Sequence, residues 1–163
     1  MMRRILAFIV LILGVLAALS DLSAAEVVAK VISVEEGDRL TIRHGGRTKT
    51  IYVKDIDCPQ LTQPYGKQAK RVTASYVANR DVVIRGLSAD KQKRLSAEVL
   101  LHDGRSLGRE LLKEGMAWWK RSPSADQRLE LLEELARASG KGLWSDPKPI
   151  PPWEWKQQAK VKR

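Results

Sequence analysis

The chemistry open to this chain is narrow. It has a single cysteine, Cys58, and two histidines, His44 and His102, each beside a glycine turn where a solvated role is expected. There is no nucleophile-elbow serine, no glycine-rich phosphate loop, no pair of histidines at metal-ligand spacing and no CxxC. What remains is a set of carboxylates and cations at the expected ends of strands: Glu36, Asp38, Asp57 and Arg94. Carboxylates can hold a hard cation or handle a proton, and an arginine can clamp an oxyanion. Taken singly, Asp38 after Gly37 is a turn residue and Asp57 before Cys58-Pro59 ends a strand. They become a site only if the fold brings them together.

The elements that would do so are legible in the pattern. Val27 to Val34 reads as a strand ended by Glu35-Glu36-Gly37-Asp38, and Leu40 to His44 and Thr48 to Val53 flank Gly45-Gly46, a hairpin signal. After Pro59 the period becomes helical through Tyr65, Ala69, Val72, Tyr76 and Val77, ending near Asn79. Asp81 to Leu87 and Arg94 to Leu101 return to strand, the second with Leu95, Ala97, Val99 and Leu101 on one face. Ser106 can cap a short helix stopping at Gly115, and Ser124-Ala125-Asp126-Gln127 is a capping-box pattern before a helix that stops at Gly140. From Asp146 onward the prolines predict an extended, frayed tail. The order β-β-β-α-β-β-α-α predicts an α+β domain, a five-stranded Greek-key barrel with three packed helices.

The chain opens with Met1-Met2-Arg3-Arg4, an apolar run from Ile5 to Leu19, and Ser23-Ala24-Ala25. A positive start, an apolar centre and small residues at the end form a secretory signal over residues 1–25, with cleavage expected before Glu26. The run falls short of the ~20 residues that span a bilayer, so stable membrane insertion after cleavage is not expected. The exported protein would reside in the periplasm or be secreted, as one monomeric domain over residues 26–155 with a basic tail at 156–163. Lys and Arg number 29 against 19 Asp and Glu, a formal charge of +10 that belongs almost wholly to the mature part. Such an excess attracts polyanions, nucleic acid or an acidic membrane surface. One cysteine excludes both an intramolecular disulfide and a thiolate zinc cluster.

Several stretches together carry a further signal: Glu36-Gly37-Asp38, Ile56-Asp57-Cys58-Pro59-Gln60, Gln63-Pro64-Tyr65-Gly66-Lys67-Gln68-Ala69, Asp90 to Arg94, Leu111 to Trp118, Gly142-Leu143-Trp144 and Pro151-Pro152-Trp153-Glu154-Trp155. In this order they resemble the staphylococcal nuclease-like (thermonuclease) family over nearly all of residues 26–155. The resemblance implies an oligonucleotide-binding-type barrel and Ca²⁺-dependent hydrolysis of DNA and RNA phosphodiesters. It places Asp38 and Asp57 on the metal-binding carboxylates, with the Cys58 backbone carbonyl beside them and Glu36 in the acidic turn. It places Arg94 on the second phosphate-clamping arginine, although the usual Tyr-Gly before it is Gln92-Lys93.

The same resemblance exposes departures. Gln60 stands where the family has its proposed general base, a glutamate, and a neutral amide cannot take a proton from water. Tyr52 stands where the family has its first catalytic arginine, and a phenol cannot make a charged fork to phosphate. Arg39 replaces the usual threonine after Gly-Asp, and either repels a metal or substitutes for one. Lys54, two residues beyond Tyr52 on the same face, can restore part of the lost charge. Losing one electrostatic stabiliser costs about 10² to 10³ in rate, and losing a general base about 10² to 10⁴. The expectation is weak or lost hydrolysis; the alternative is a non-catalytic module that binds nucleic acid or an envelope protein.

Overall fold

The computed structural model describes residues 26–90, 93–121 and 126–161. The expected signal segment, Gln92 and the start of the capping pattern at Ser124 lie outside the described residues. Strands β1 (Glu26–Glu36), β2 (Arg39–His44) and β3 (Arg47–Val53) form the expected meander. The β2–β3 turn is made by Gly45 and Gly46 at φ 54° and 74°, the left-handed pair that matches the strands' twist. A two-residue strand β4 (Ile56–Asp57) precedes helix α1 (Gly66–Val77). Strands β5 (Asp81–Ala89) and β6 (Leu95–Leu100) follow, then α2 (Leu107–Lys113), β7 (Trp118–Trp119), α3 (Arg128–Ala138), a 3₁₀ turn (Gly142–Ser145) and α4 (Pro152–Val161).

The barrel closes in the order β1-β2-β3-β6-β5. All its pairs are antiparallel except β3 with β6, which run parallel in the register Tyr52↔Ser96. Alternation along each strand fills the interior with Val31, Leu40, Ile51, Ile84 and Val99, all buried. Outside the barrel, Leu107, Leu111 and Leu112 of α2 are fully buried in the same core.

The five-stranded α+β barrel is as expected, but the helix count is not. Four α-helices are present among the described residues, because the expected extended tail is the helix α4. The physical reason is Pro152. A proline at the first helical position lacks only an N–H that would have had no partner, and its φ is already helical. The Pro151 carbonyl accepts from Glu154 N (3.1 Å) and Trp155 N (3.0 Å), and Glu154 places a carboxylate in the first turn. The boundary expected between residues 155 and 156 therefore falls inside a helix. Ser106 precedes α2 without a side-chain capping bond. Gln127 is the residue before α3, also without one.

One close approach positions the loops. A Cβ on Gly37 would lie 2.8 Å from Cys58 Cβ, 2.8 Å from its Sγ and 2.9 Å from Ala69 Cβ. The Gly37 carbonyl accepts from Thr73 Oγ1 (2.5 Å) in α1. Gly37→Ala is expected to lower stability by about 1–3 kcal/mol through overpacking, read as a shift in the urea midpoint. A midpoint equal to wild type would show that this contact has room to spare.

Candidate active site

The loop after β1, the β3 end, β4 and the β5–β6 turn converge on a cleft of about 280 Å³. Asp38, Tyr52, Lys54, Asp57 and Arg94, five of the residues singled out from sequence, line it. Each is set there by its element. Asp38 follows the glycine packed on Cys58, and its Oδ2 accepts from Cys58 N at 3.2 Å. Asp57 is held by pairing with Trp118 in the β4–β7 ribbon. Arg94 closes a tight turn in which Asp90 Oδ1 accepts its backbone N–H (2.8 Å) and Asp90 Oδ2 accepts its Nε (2.7 Å).

Four expected residues, Glu36, Arg39, Cys58 and Gln60, do not line the cleft, and Cys58 is buried against Gly37. Glu36 is engaged by Arg39 Nη2 at 3.5 Å. Arg39 lies opposite Tyr52 across the β2–β3 ladder, and a hydrogen bond to Tyr52 is the largest influence holding its guanidinium pKa above the usual range. Arg39 thus stands beside Tyr52 and Glu36, outside the lining of the cleft. Gln60 is fixed by its backbone: its N donates to Gln63 Oε1 (3.2 Å) and its carbonyl accepts from Gln63 N (2.9 Å).

The structure also brings in groups that the sequence left unnoticed. Asp55, Asp90, Lys120 and Lys156 line the same cleft. Lys120 arrives because its N–H bonds the Asp55 carbonyl (2.9 Å) at the end of β7. The double tryptophan before it was the available signal, for Trp118 and Trp119 are the whole of β7. Lys156 comes from α4, with Nζ 4.0 Å from Asp57 Oδ1. The Arg94 guanidinium sits 5.6 Å from the Tyr52 ring centroid, so Tyr52 lies between two arginines.

Electrostatics mark Asp38 as the unusual member. Burial first, and the Asp57 carboxylate second, push its carboxyl up to about 7, against the Cys58 hydrogen bond that lowers it. A buried carboxyl that feels a second carboxylate is unfavourable when both are ionised, and a divalent cation would relieve it. Among the described residues no three His, Cys, Asp or Glu side chains form a metal cage. Asp38 and Asp57 can thus supply two oxygen ligands, which fits a hard cation that completes its shell with water and a phosphate oxygen. The Trp118 and Trp144 rings, 5.1 Å apart and edge-on, pack with Ala136 and Leu143 in a second buried cluster.

The closed barrel gathers Asp38, Asp57 and Arg94 on one cleft. Residues 50–146 match the family described as Staphylococcal nuclease homologue, and the chain belongs to that family. A protein named Uncharacterized endonuclease from Escherichia coli O157:H7 is 29% identical over 134 residues, covering 82% of this chain and 88% of the relative. A protein of the same name from Haemophilus influenzae is 29% identical over 151 residues, 92% of this chain and 84% of its own length. Micrococcal nuclease from Shigella flexneri is 27% identical over 169 residues, 98% and 94% of the two chains.

The raised Asp38 pKa has a signed consequence for the cation-free protein. The folded state holds this proton more tightly than the unfolded chain, so the stability it gives is present below 3.8 and lost as pH rises to about 7. Asp38→Asn cannot ionise. In chelator it is expected to be more stable than wild type at pH 8, by on the order of 1–4 kcal/mol, with the gain shrinking toward pH 4. Thermal melts across this range check it; a gain independent of pH would assign the effect to packing.

Proposed function

We propose that this chain is an exported nuclease-like protein that binds the phosphodiester backbone of nucleic acid in this cleft and hydrolyses it weakly with Ca²⁺. The convergence of Asp38, Asp57, Lys54 and Arg94 on one cleft carries the reading. Family membership supports nucleic-acid hydrolysis as the reaction class. The leader-like segment at residues 1–25 supports export, to the periplasm or beyond. Among the described residues no helix is long and apolar enough to cross a membrane.

In this reading Asp38 and Asp57 hold the cation, which when bound polarises a phosphoryl oxygen and lowers the pKa of water. Arg94 offers its guanidinium to the charge that builds on phosphorus, and Lys54 adds a point charge from the β3 end. The Gln60 amide accepts no proton, so attack by water goes without that assistance. Tyr52 supplies a ring to Arg94 instead of a second fork. These two substitutions also favour a second reading, a non-catalytic module for nucleic acid or an envelope protein.

Restoring activity takes more than two changes, because an arginine at 52 would stand directly opposite Arg39 and like charges repel across a ladder. We expect Arg39→Thr/Tyr52→Arg/Gln60→Glu to cut denatured DNA and RNA in Ca²⁺ at least ~10²-fold faster than wild type. Wild type should cut slowly and lose that activity in chelator. Fast, chelator-sensitive cleavage by wild type would overturn the weak-activity claim. Binding without any cleavage, in wild type and variant alike, would favour the binding module.

A further inference from the structure

The C-terminal helix reaches the cleft by a pinned route. Tyr65 Oη and Ser145 Oγ are 2.8 Å apart, and Gln63 Nε2 donates to the Ile150 carbonyl. Pro152 is buried where α4 begins. These anchors tie the strap at residues 145–151 to the start of α1, and α4 then delivers Lys156 to the cleft wall. The Lys156 ammonium is 4.0 Å from Asp57 Oδ1, with a side chain 45% exposed against 17% for Asp57. A contact that long and that open to solvent is worth little and exchanges readily. Trp153 lies three residues earlier, a spacing that puts both on one helix face, and it is 40% exposed. A large aromatic left in solvent beside a cation is the pairing that holds unpaired nucleotides, the ring under a base and the charge on the backbone.

We propose that α4 is a substrate-gripping wall of the cleft: Lys156 trades Asp57 for a backbone phosphate of single-stranded nucleic acid, and Trp153 stacks on a base of the same strand. This rests on the reading of the cleft as a phosphodiester site and extends it to a helix outside the 50–146 segment that matches the family. Lys156 thereby makes up, from the far end of the chain, some of the positive charge missing at Tyr52. A cation taking Asp57 would release the lysine at the moment a phosphate is needed there.

The test measures binding of a fluorescein-labelled oligodeoxythymidine by anisotropy, in chelator, across a range of salt. Compared are wild type and Lys156→Ala, Lys156→Arg, Trp153→Ala, Arg94→Ala and Lys30→Ala, the last removing one exposed charge outside the cleft. Lys156→Ala should weaken binding several-fold and flatten the slope of log K against log salt by about 0.7, one phosphate contact. Lys156→Arg should keep both, Trp153→Ala should weaken binding roughly tenfold, and Lys30→Ala should matter less than Lys156→Ala. If wild type binds and Arg94→Ala weakens it while both α4 alanine variants match wild type, the wall is refuted and the cleft reading stands. Equal losses in Lys30→Ala and Lys156→Ala would also refute it, assigning the effect to bulk charge. No binding by wild type, either in chelator or in a parallel titration with Ca²⁺, would overturn the cleft reading and this proposal together.

Discussion

The site depends on the contact between Gly37 and Cys58. Asp38 lies in the turn after β1 and Asp57 in β4, and they face one cleft because the backbone before Asp38 lies against the Cys58 side chain with no room for a Cβ. Thr73 holds the Gly37 carbonyl from α1, and the Cys58 N–H holds Asp38. Each bond ties one loop to another element, so neither aspartate can move without disturbing the core. Cys58 is buried, and burial raises its thiol pKa well above the ordinary value, so it is a packing group. The resulting convergence is unfavourable by itself, since it buries a carboxyl beside another carboxylate. Such strain persists where the surrounding core over-determines it, and under the proposed function it readies the pair for a cation.

A strongly basic protein has placed four carboxylates, Asp38, Asp55, Asp57 and Asp90, in the same cleft as Lys54, Arg94, Lys120 and Lys156. The overall field draws a polyanion toward the surface, while the cleft itself is nearly balanced. Under the proposed function, a phosphate entering it meets as many negative groups as positive ones unless a cation covers Asp38 and Asp57. Cation and phosphate are then mutually dependent ligands, each making the site better for the other. The arrangement separates attraction to nucleic acid, a property of the whole surface, from engagement in the cleft, a property of a few residues.

What could be read from the sequence follows from the length scale of each feature. The β6 alternation of Leu95, Ala97 and Val99 and the Gly45-Gly46 hairpin were legible because the period and the turn chemistry are local. Asp38, Asp57 and Arg94 were legible through their motifs, and the structure brings them together. The β4–β7 ribbon was not, because two residues carry no period, and its pairing of Asp57 with Trp118 is a tertiary event. The helix α4 was hidden by prolines whose usual meaning is exclusion from helices, although Pro152 stands where a helix accepts one. Lys156 and the Arg39 partnership with Tyr52 depend on which elements meet, and residue type alone could not place them.

That last partnership changes the meaning of Tyr52. Viewed as a missing arginine, it is a loss of charge; in the fold it faces Arg39 across the β2–β3 ladder and offers its ring to Arg94. A positive side chain in its place would break the first contact and turn the second into repulsion. Arg39 and Tyr52 therefore act as one unit, and substitutions at the two positions are expected to be strongly non-additive. The replacement at 52 is coherent only with the replacement at 39, and the result is a rewired cation network in which Arg94 rests on an aromatic face. Under the proposed function, such a network keeps an arginine at the cleft without a second one competing beside it, an arrangement that would favour holding a phosphate over stabilising the extra charge of a transition state.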